Sequence, residues 1–240
     1  MTADARDRAT KGRSLLVLAR DLVIVVVGVF LGLQAQEWNE RVTDRENERA
    51  YLERLSADFQ LLGQELKGCV DLHRKTVEAV RFVSNRIESN KLGDDEHERF
   101  KRALIGMTAG DVPPDRSTTF IEMLSNGDLG LVRSVELRDA LVEYDQLAQT
   151  NREIWRLLRA EISAYLPTLY RHIEVDVDLA NIDDTVQRIT TVQNFDWDGI
   201  VSDPAFAAML NVLAGTNGNF FEVCVFQQKD ASDVIELLAR

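Results

Sequence analysis

The feature that most constrains this chain is an unbroken run of twelve apolar residues at positions 22–33, LVIVVVGVFLGL. Twelve helical residues span only about 18 Å, which is short of the roughly 30 Å hydrocarbon core of a bilayer. Extending the helix to Trp38 gives about 26 Å, because Arg20 can reach one membrane surface and Trp38 can lie among the headgroups of the other. The sequence therefore predicts a transmembrane anchor over residues 21–38.

Basic residues before this run predict its orientation. Arginine and lysine beside a first span usually stay in the cytoplasm. By subtraction from the totals for the whole chain, residues 37–240 hold 23 basic and 37 acidic residues, a net charge of -14. We expect residues 1–20 to be cytoplasmic and residues 39–240 to form a helical domain on the opposite side of the membrane. The basic residues that precede the run are Arg6, Arg8, Lys11, Arg13 and Arg20.

Two other interpretations of the apolar run stay open. A secretory signal peptide has a similar basic and then apolar pattern, and Leu33-Gln34-Ala35 loosely resembles a cleavage site, although leucine is large for that position. A helix buried in a soluble core is the other alternative. We favour the uncleaved anchor.

A glycine pair lies within the anchor. Gly28 and Gly32 are four residues apart, a spacing that lets two membrane helices approach closely, and Gln34 could donate a hydrogen bond across such a pair. Glycine is common in membrane helices, so the pair also fits an incidental occurrence. The sequence predicts a candidate homo-oligomer contact at Gly28, Gly32 and Gln34.

Residues 25–59, which run from the anchor through Trp38-Asn39-Glu40, and residues 120–147 form two distinctive blocks of sequence. These blocks resemble the opening and middle segments of a family of uncharacterised single-span bacterial membrane proteins. The resemblance implies an inner-membrane anchor with a periplasmic domain, and it brings no catalytic residue. Asp145 departs from the family pattern, which has a tyrosine there. The shared positions of the first block are Gly28, Gly32, Leu33, Gln34, Trp38, Asn39, Glu40, Tyr51, Leu52, Leu55 and Asp58.

Beyond the anchor, an apolar seam with 3-4 spacing predicts one long amphipathic helix. It fits either the core-facing stripe of a bundle helix or a parallel coiled coil, and we favour the bundle because Gly63 and Gly68 would weaken a free-standing rod. The seam consists of Leu52, Leu55, Phe59, Leu62, Leu66, Cys69, His73, Thr76, Val80, Val83 and Ile87.

The remaining pattern predicts a mainly α extracytoplasmic bundle of four to five helices. After a helix over 96–107, the proline-containing stretch 110–117 indicates a surface connection and a candidate domain boundary, although one domain suits the length. A third helix closes at Gly127, and Ser134 caps a long helix that ends or bends near Pro167.

The last part of the chain begins with a different periodicity. Alternating apolar and acidic residues over 173–179 predict a short edge strand or an extended segment. Asp203 and Pro204 open the last helix, in which we expect a kink or break at 215–218. These elements complete the predicted bundle.

The chemistry-bearing residues give no catalytic pattern. Cys69 and Cys224 lie on core-facing seams, where they fit a disulfide or two separate buried thiols. None of the histidines has a second histidine at helical metal-binding spacing. Acidic residues between 174 and 198 lack the glycine turn of a calcium loop, which favours a solvated face. We predict no enzyme activity, no cofactor and no metal site.

Charge and architecture together give the expected function. A net charge of -12 argues against nucleic-acid binding, because phosphate contacts need clustered lysine and arginine. We expect the protein to contact the lipid bilayer through residues 21–38 and to act through protein–protein contacts with an unidentified envelope protein. A small-molecule sensor that works with a separate partner is the alternative, and a hydrolase of envelope substrates is a third.

Overall fold

The computed structural model describes the backbone of residues 4–177 and 190–240, and the side-chain surroundings of residues 30–32, 34–176 and 190–240. Within these ranges the chain is mainly helical, with six α-helices and one two-stranded sheet, so the predicted fold class is confirmed at that level. The helices are α1 (Asp4–Ser89), α2 (His97–Gly106), α3 (Thr118–Asn126), α4 (Val135–Tyr170), α5 (Trp197–Ser202) and α6 (Pro204–Leu238), and the strands are β1 (Ile173–Val177) and β2 (Thr190–Phe195).

The residues separate into two units, Met1–Leu52 and Glu53–Arg240. In the first unit, the described part of α1 exposes large apolar side chains: Phe30 and Leu31 are each 60% exposed and Trp38 is 71% exposed. Polar side chains four residues apart interact along this part of the helix: Gln36 donates a hydrogen bond to Glu40, and Arg41 forms an ion pair with Glu37.

The predicted anchor at 21–38 falls partly outside the described residues, because the side-chain surroundings of 21–29 and Leu33 are not among them. In the part of the chain that the structure describes, no helix has the length and apolar character needed to cross a bilayer.

The second unit buries the seam of α1 inside a single chain. Leu55, Phe59, Leu66 and Val83 have no exposed surface, and only the two ends of the seam are partly accessible. The Phe59 and Tyr144 rings meet edge to face at 4.9 Å. The core-facing interpretation of the seam is therefore the one that the structure adopts.

Helices α4 and α6 pack against each other in opposite directions. Asn151 Nδ2 donates to Gln227 Oε1 at 3.0 Å, and ten residues further along α4 the Glu161 carboxylate accepts from Thr216 Oγ1 at 3.2 Å. The residue numbers in contact therefore rise along α4 while they fall along α6. An antiparallel pair of long helices thus frames the core of this unit.

The predicted helix ends are confirmed at three positions. Ser134 Oγ accepts a hydrogen bond from the Leu137 amide at 3.1 Å, and the Asp203 carboxylate accepts from the Ala205 amide at 2.8 Å. Both side chains satisfy amides that a helix start leaves without a partner. Gly127 closes α3 with φ of 77°, a left-handed conformation that glycine adopts at little cost.

One expectation about α6 differs from the structure. Of the kink or break predicted at 215–218, the break is wrong, since α6 runs unbroken from Pro204 to Leu238. A helical glycine costs only about 1 kcal/mol relative to alanine, and the fully buried Leu213 and Phe220 on either side hold the helix in the core. Helix α4 includes Pro167 and ends three residues later, at Tyr170, close to the predicted position.

The connection between α2 and α3 is partly exposed at Asp111, Val112 and Asp115, as its prolines predict, but it is not a domain boundary, because it lies within the second unit. The Met107 and Pro114 carbonyls accept hydrogen bonds from Asn217 Nδ2 at 3.0 Å and from Gln227 Nε2 at 2.8 Å. Both donor residues are completely buried on α6. Since amides of the core satisfy its carbonyls, the connection is part of the packed unit.

Asp145, where the resemblance predicts a tyrosine, lies in a largely buried ion pair. Arg116 donates to both of its carboxylate oxygens, through Nη2 at 3.0 Å and through Nε, and Gln149 Nε2 donates at 2.7 Å. The Asp145 residue is only 5% exposed. Two-point pairing with arginine supplies the hydrogen bonds that a buried carboxylate needs, so α4 packs normally around this residue.

The sheet lies against α2 and joins the end of α4 to α5. Strands β1 and β2 pair antiparallel, with a register shift between Glu174 and Val175. Ile173 and Val192 are 7% and 8% exposed and belong to the core. The strand prediction is confirmed for 173–177, and its last residues, 178 and 179, lie outside the described residues.

Candidate functional site

Two cysteines and a histidine form a buried cluster between α1 and α6. Cys69 and Cys224 are joined by a disulfide, with an S–S distance of 2.04 Å and a Cα–Cα distance of 6.0 Å. The sulfurs and a ring nitrogen of His73 all lie within 4.8 Å of one another. Cys69 is 5% exposed, whereas His73 and Cys224 have no exposed surface.

Helical spacing builds this cluster from both sides. Cys69 and His73 are four residues apart on α1, and Phe220 and Cys224 are four residues apart on α6, so each pair lies on one face of its helix. Cys69 meets Cys224 while the His73 ring lies 5.2 Å from the Phe220 ring. This order requires the two helix segments to run antiparallel.

His73 is a fully buried polar side chain whose two ring nitrogens form no hydrogen bond of normal geometry, which is unusual because a buried polar group normally pairs. Burial lowers the pKa of His73 below its ordinary value, and a weaker approach of the Asp111 backbone to the ring offsets this only in part. A Cβ added at Gly110 would lie 3.5 Å from the His73 ring, so the α2–α3 connection covers the imidazole.

A second histidine fixes the start of α6. His172 Nε2 donates to an Asp203 carboxylate oxygen at 2.9 Å, and Asp196 lies 4.0 Å from its Nδ1. The hydrogen bond from His172, followed by the one from the Ala205 amide, lowers the pKa of Asp203. His172 is 8% exposed and also borders a pocket of about 180 Å³ formed with Glu174 and its neighbours. This arrangement orients the Asp203 cap.

A basic cleft lies between α1 and α2. It has a volume of about 450 Å³, and its lining includes the cations Lys75, Arg99 and Arg102 and one acid, Glu78. The Arg99 guanidinium stacks 4.1 Å from the centre of the Phe82 ring at its base. The three cations can bind an acidic molecule, and the volume falls within the usual range for small-molecule sites.

No protein-family model, curated protein or solved structure matches the chain. The resemblance of residues 25–59 and 120–147 to the anchored family therefore stays a prediction. In the structure the second-unit parts of these blocks touch, because Arg54 forms an ion pair with Glu122 and the Phe59 ring packs on Tyr144.

Asp58, in the first of these blocks, binds the start of α3. Ser117 Oγ donates to its Oδ2 at 2.7 Å, and the Thr119 amide donates to the same oxygen at 2.9 Å. Burial would raise the pKa of Asp58, but these hydrogen bonds outweigh it and lower the pKa below its ordinary value. The carboxylate therefore connects α1 to the first turn of α3.

The residues predicted to mediate self-association lie in the first unit. A Cβ added at Gly32 would meet no atom within 4 Å, and Gln34 is exposed. Gly28 lies outside the residues whose surroundings are described. The predicted contact at these three positions stays a prediction.

The acidic stretch is only partly described. Glu174 and Asp176 are exposed on β1, and Asp196 caps α5 by accepting a hydrogen bond from the Gly199 amide at 3.0 Å. Asp178, Asp183 and Asp184 lie outside the described residues. In the described part, these acids are distributed between a strand surface and a helix cap.

The cysteine–histidine cluster is the feature that sequence reasoning missed. Cys69 lies one helical turn from His73 on the same seam, so this i, i+4 pair is visible in the sequence. For Cys69 and Cys224 the sequence leaves a disulfide and two separate thiols open, and the structure adopts the disulfide across 155 positions.

Proposed function

We propose that this protein is a single-span membrane protein whose helical domain, residues 39–240, lies on the periplasmic side of a bacterial inner membrane. We propose that it acts there through protein–protein contacts, with residues 1–20 in the cytoplasm and 21–38 as the anchor. The observation that carries the anchor is the side-chain exposure in the first unit, where Phe30, Leu31 and Trp38 are each at least 60% exposed.

Exposed apolar side chains favour burial in lipid. Phe30 and Leu31 belong to the apolar run at 22–33, and Trp38 follows the run where an aromatic residue suits the headgroup region. Burying a phenylalanine or leucine side chain gains roughly 1.5–3 kcal/mol. A bilayer around 21–38 would provide this burial.

The disulfide supports an extracytoplasmic place for the domain. Cys69 and Cys224 are covalently joined in the second unit. Disulfides persist in oxidising compartments such as the periplasm and are rare in the cytosol. This argument is independent of the apolar run, and it agrees with the orientation that the basic residues predict.

Exposed apolar side chains also support protein contacts by the second unit. Leu61 on α1, Leu157 on α4 and Phe226 on α6 are 57%, 65% and 59% exposed. Large apolar side chains that stay in water on a folded unit are candidate contact points for a partner. Self-association through Gly28, Gly32 and Gln34 would add contacts within the membrane.

Fractionation of cells that carry a C-terminally tagged chain tests the anchor. We expect full-length protein in the membrane fraction, and we expect protease added to spheroplasts to digest the tag. Val26→Arg places a charge in the apolar run, at a cost of about 2.5–3.5 kcal/mol on insertion scales, and is expected to reduce membrane retention. Val26→Leu is the matched control. A soluble mature chain beginning near Gln36 would contradict the anchor and indicate a cleaved signal peptide.

Site-specific photo-crosslinking tests the protein contacts. A photoreactive residue at Leu157 is expected to yield a defined higher-mass adduct in cells, while the same residue at the buried Ile162 on α4 is expected to yield none. Leu157→Glu is expected to abolish co-purification of the crosslinked partner. Equal adducts from both positions, or no adduct from any exposed apolar position, would contradict a role in protein contacts.

A ligand-sensing role is the second candidate, and the cleft between α1 and α2 favours it. Its three cations, Lys75, Arg99 and Arg102, fit a small acidic molecule. A ligand that binds the folded state raises its melting temperature. Stabilisation by di- or tricarboxylates that is lost in Arg102→Gln, but not in Arg156→Gln on the exposed side of α4, would favour sensing.

A further inference from the structure

We propose that Cys69, His73 and Cys224 form a binding site for a thiophilic divalent cation, with Zn²⁺ as its chemical type, when the disulfide is reduced. The proposal rests on the placement of three ligand atoms within 4.8 Å of one another, and on a fully buried His73 whose ring nitrogens form no hydrogen bond of normal geometry. It does not depend on the proposed membrane anchor, and in an oxidising periplasm the site would form only after a dithiol reductant has opened the disulfide.

The donor set selects the cation. Zn²⁺ binds cysteine sulfur and histidine nitrogen at about 2.3 and 2.0–2.1 Å, so ligand atoms around it lie roughly 3.5–4 Å apart. The spacing of the cluster is close to this, and separating the two sulfurs is the main movement needed. Carboxylate-binding cations such as Mg²⁺ would find no oxygen ligand among these three side chains.

Charge balance favours a divalent ion. Two thiolates and a neutral imidazole carry a charge of -2, which Zn²⁺ neutralises. Cys69, His73 and Cys224 are all at least 95% buried, and an uncompensated charge in such surroundings is costly. A monovalent thiophilic ion would leave one negative charge in the core.

Metal binding would also satisfy the imidazole. A buried polar group without a well-formed hydrogen bond is destabilising, and neither ring nitrogen of His73 forms one of normal geometry in the described structure. Coordination would make one ring nitrogen of His73 a ligand of the cation, so that this nitrogen would have a partner. The α2–α3 connection at Gly110 and the Phe220 ring enclose the side chain and limit its rotation.

The disulfide makes the site dependent on redox state. A dithiol reductant transfers two electrons and two protons to the Cys69–Cys224 bond, giving two thiols, and is itself converted to a disulfide. Binding of Zn²⁺ to the two thiols then releases two protons. Oxidation by a disulfide reverses the sequence, because the two thiolates lose two electrons, the S–S bond forms again and the cation leaves.

Cobalt substitution tests the site in the full chain. Protein purified under reducing, anaerobic conditions is titrated with Co²⁺, whose thiolate charge-transfer and tetrahedral d–d bands report the ligands. We expect one equivalent to bind to the reduced protein and to be displaced by Zn²⁺. The oxidised protein is the first control, since it has the same carboxylates and histidines, and is expected to give no such bands.

Matched variants test whether the cluster, rather than another part of the chain, binds the cation. His73→Gln is expected to weaken binding by more than the roughly 10- to 100-fold typical of losing a supporting residue around a metal. His97→Gln, on α2, is expected to leave it unchanged. X-ray absorption of the wild-type Zn²⁺ complex, with two sulfurs and at least one nitrogen in the shell, tests the ligands even if His73→Gln fails to fold.

Three results would overturn the proposal: absence of charge-transfer bands in the reduced protein, equal binding by the oxidised and reduced forms, or a metal shell without sulfur. Failure of the membrane fractionation would leave these readouts unaffected, so the two proposals fail separately.

Discussion

Loss of the Cys69–Cys224 crosslink is expected to destabilise the second unit by about 3–5 kcal/mol. The two residues are 155 positions apart, and the chain-entropy relation gives about 17 cal/mol/K for a loop of this size, or about 5 kcal/mol at 25 °C. Residual structure in the unfolded chain reduces this value. For a unit of this size, such a loss lowers the melting temperature by roughly 6–20 °C.

Urea unfolding followed by circular dichroism measures this loss, with a chelator present so that no metal contributes. Three samples are compared: the oxidised chain, the phosphine-reduced chain and the double variant Cys69→Ala/Cys224→Ala. The reduced chain keeps both sulfur atoms, so its difference from the oxidised chain reports the crosslink alone. The double variant adds the cost of the missing sulfur atoms.

The slope of the unfolding curve gives a second check. A crosslinked unfolded chain is more compact, so the oxidised form is expected to have the smaller dependence on urea. If the oxidised and reduced chains unfold at the same urea concentration with the same slope, the reasoning is refuted.

Three further predictions concern α4. Ser134→Ala removes the side-chain cap on the Leu137 amide and is expected to cost about 1 kcal/mol in urea unfolding. Asp145→Ala leaves the Arg116 guanidinium, which is only about a quarter exposed, without its carboxylate partner, and is expected to lower the free energy of unfolding by about 3 kcal/mol. The exposed control Asp139→Ala is expected to change it little. Equal losses in the two variants would contradict the buried ion pair. Burial raises the pKa of Tyr144 to about 12, so one of four tyrosines is expected to ionise late in an absorbance titration. Since folding disfavours its tyrosinate, stability falls as pH rises above the unfolded pKa near 10, and Tyr144→Phe removes both effects.

The local elements were predictable because their signals are local. Ser134 and Asp203 cap the helices they precede, Gly127 takes the left-handed position, and the seam from Leu55 to Val83 faces the core. Each of these follows from side-chain chemistry within one or two helical turns.

The remaining features depend on contacts that are distant in sequence. The prolines between α2 and α3 predict a surface connection, and part of it is exposed. They do not predict that Asn217 and Gln227, more than one hundred residues later, bind its carbonyls from the core. Likewise, α6 tolerates its glycines because of packing at Leu213 and Phe220. The cluster around His73 required knowledge of which α6 residue opposes which turn of α1.

The connection between α2 and α3 has one further consequence, which concerns its length. Besides the bonds from α6, the Thr108 and Asp115 carbonyls accept hydrogen bonds from the Arg159 and Tyr144 side chains of α4. Donors on two different helices thus hold peptide groups at fixed intervals along this segment. An inserted or deleted residue would displace every later carbonyl from its donor, so this segment is expected to have the same number of residues in related chains, unlike ordinary loops that vary freely.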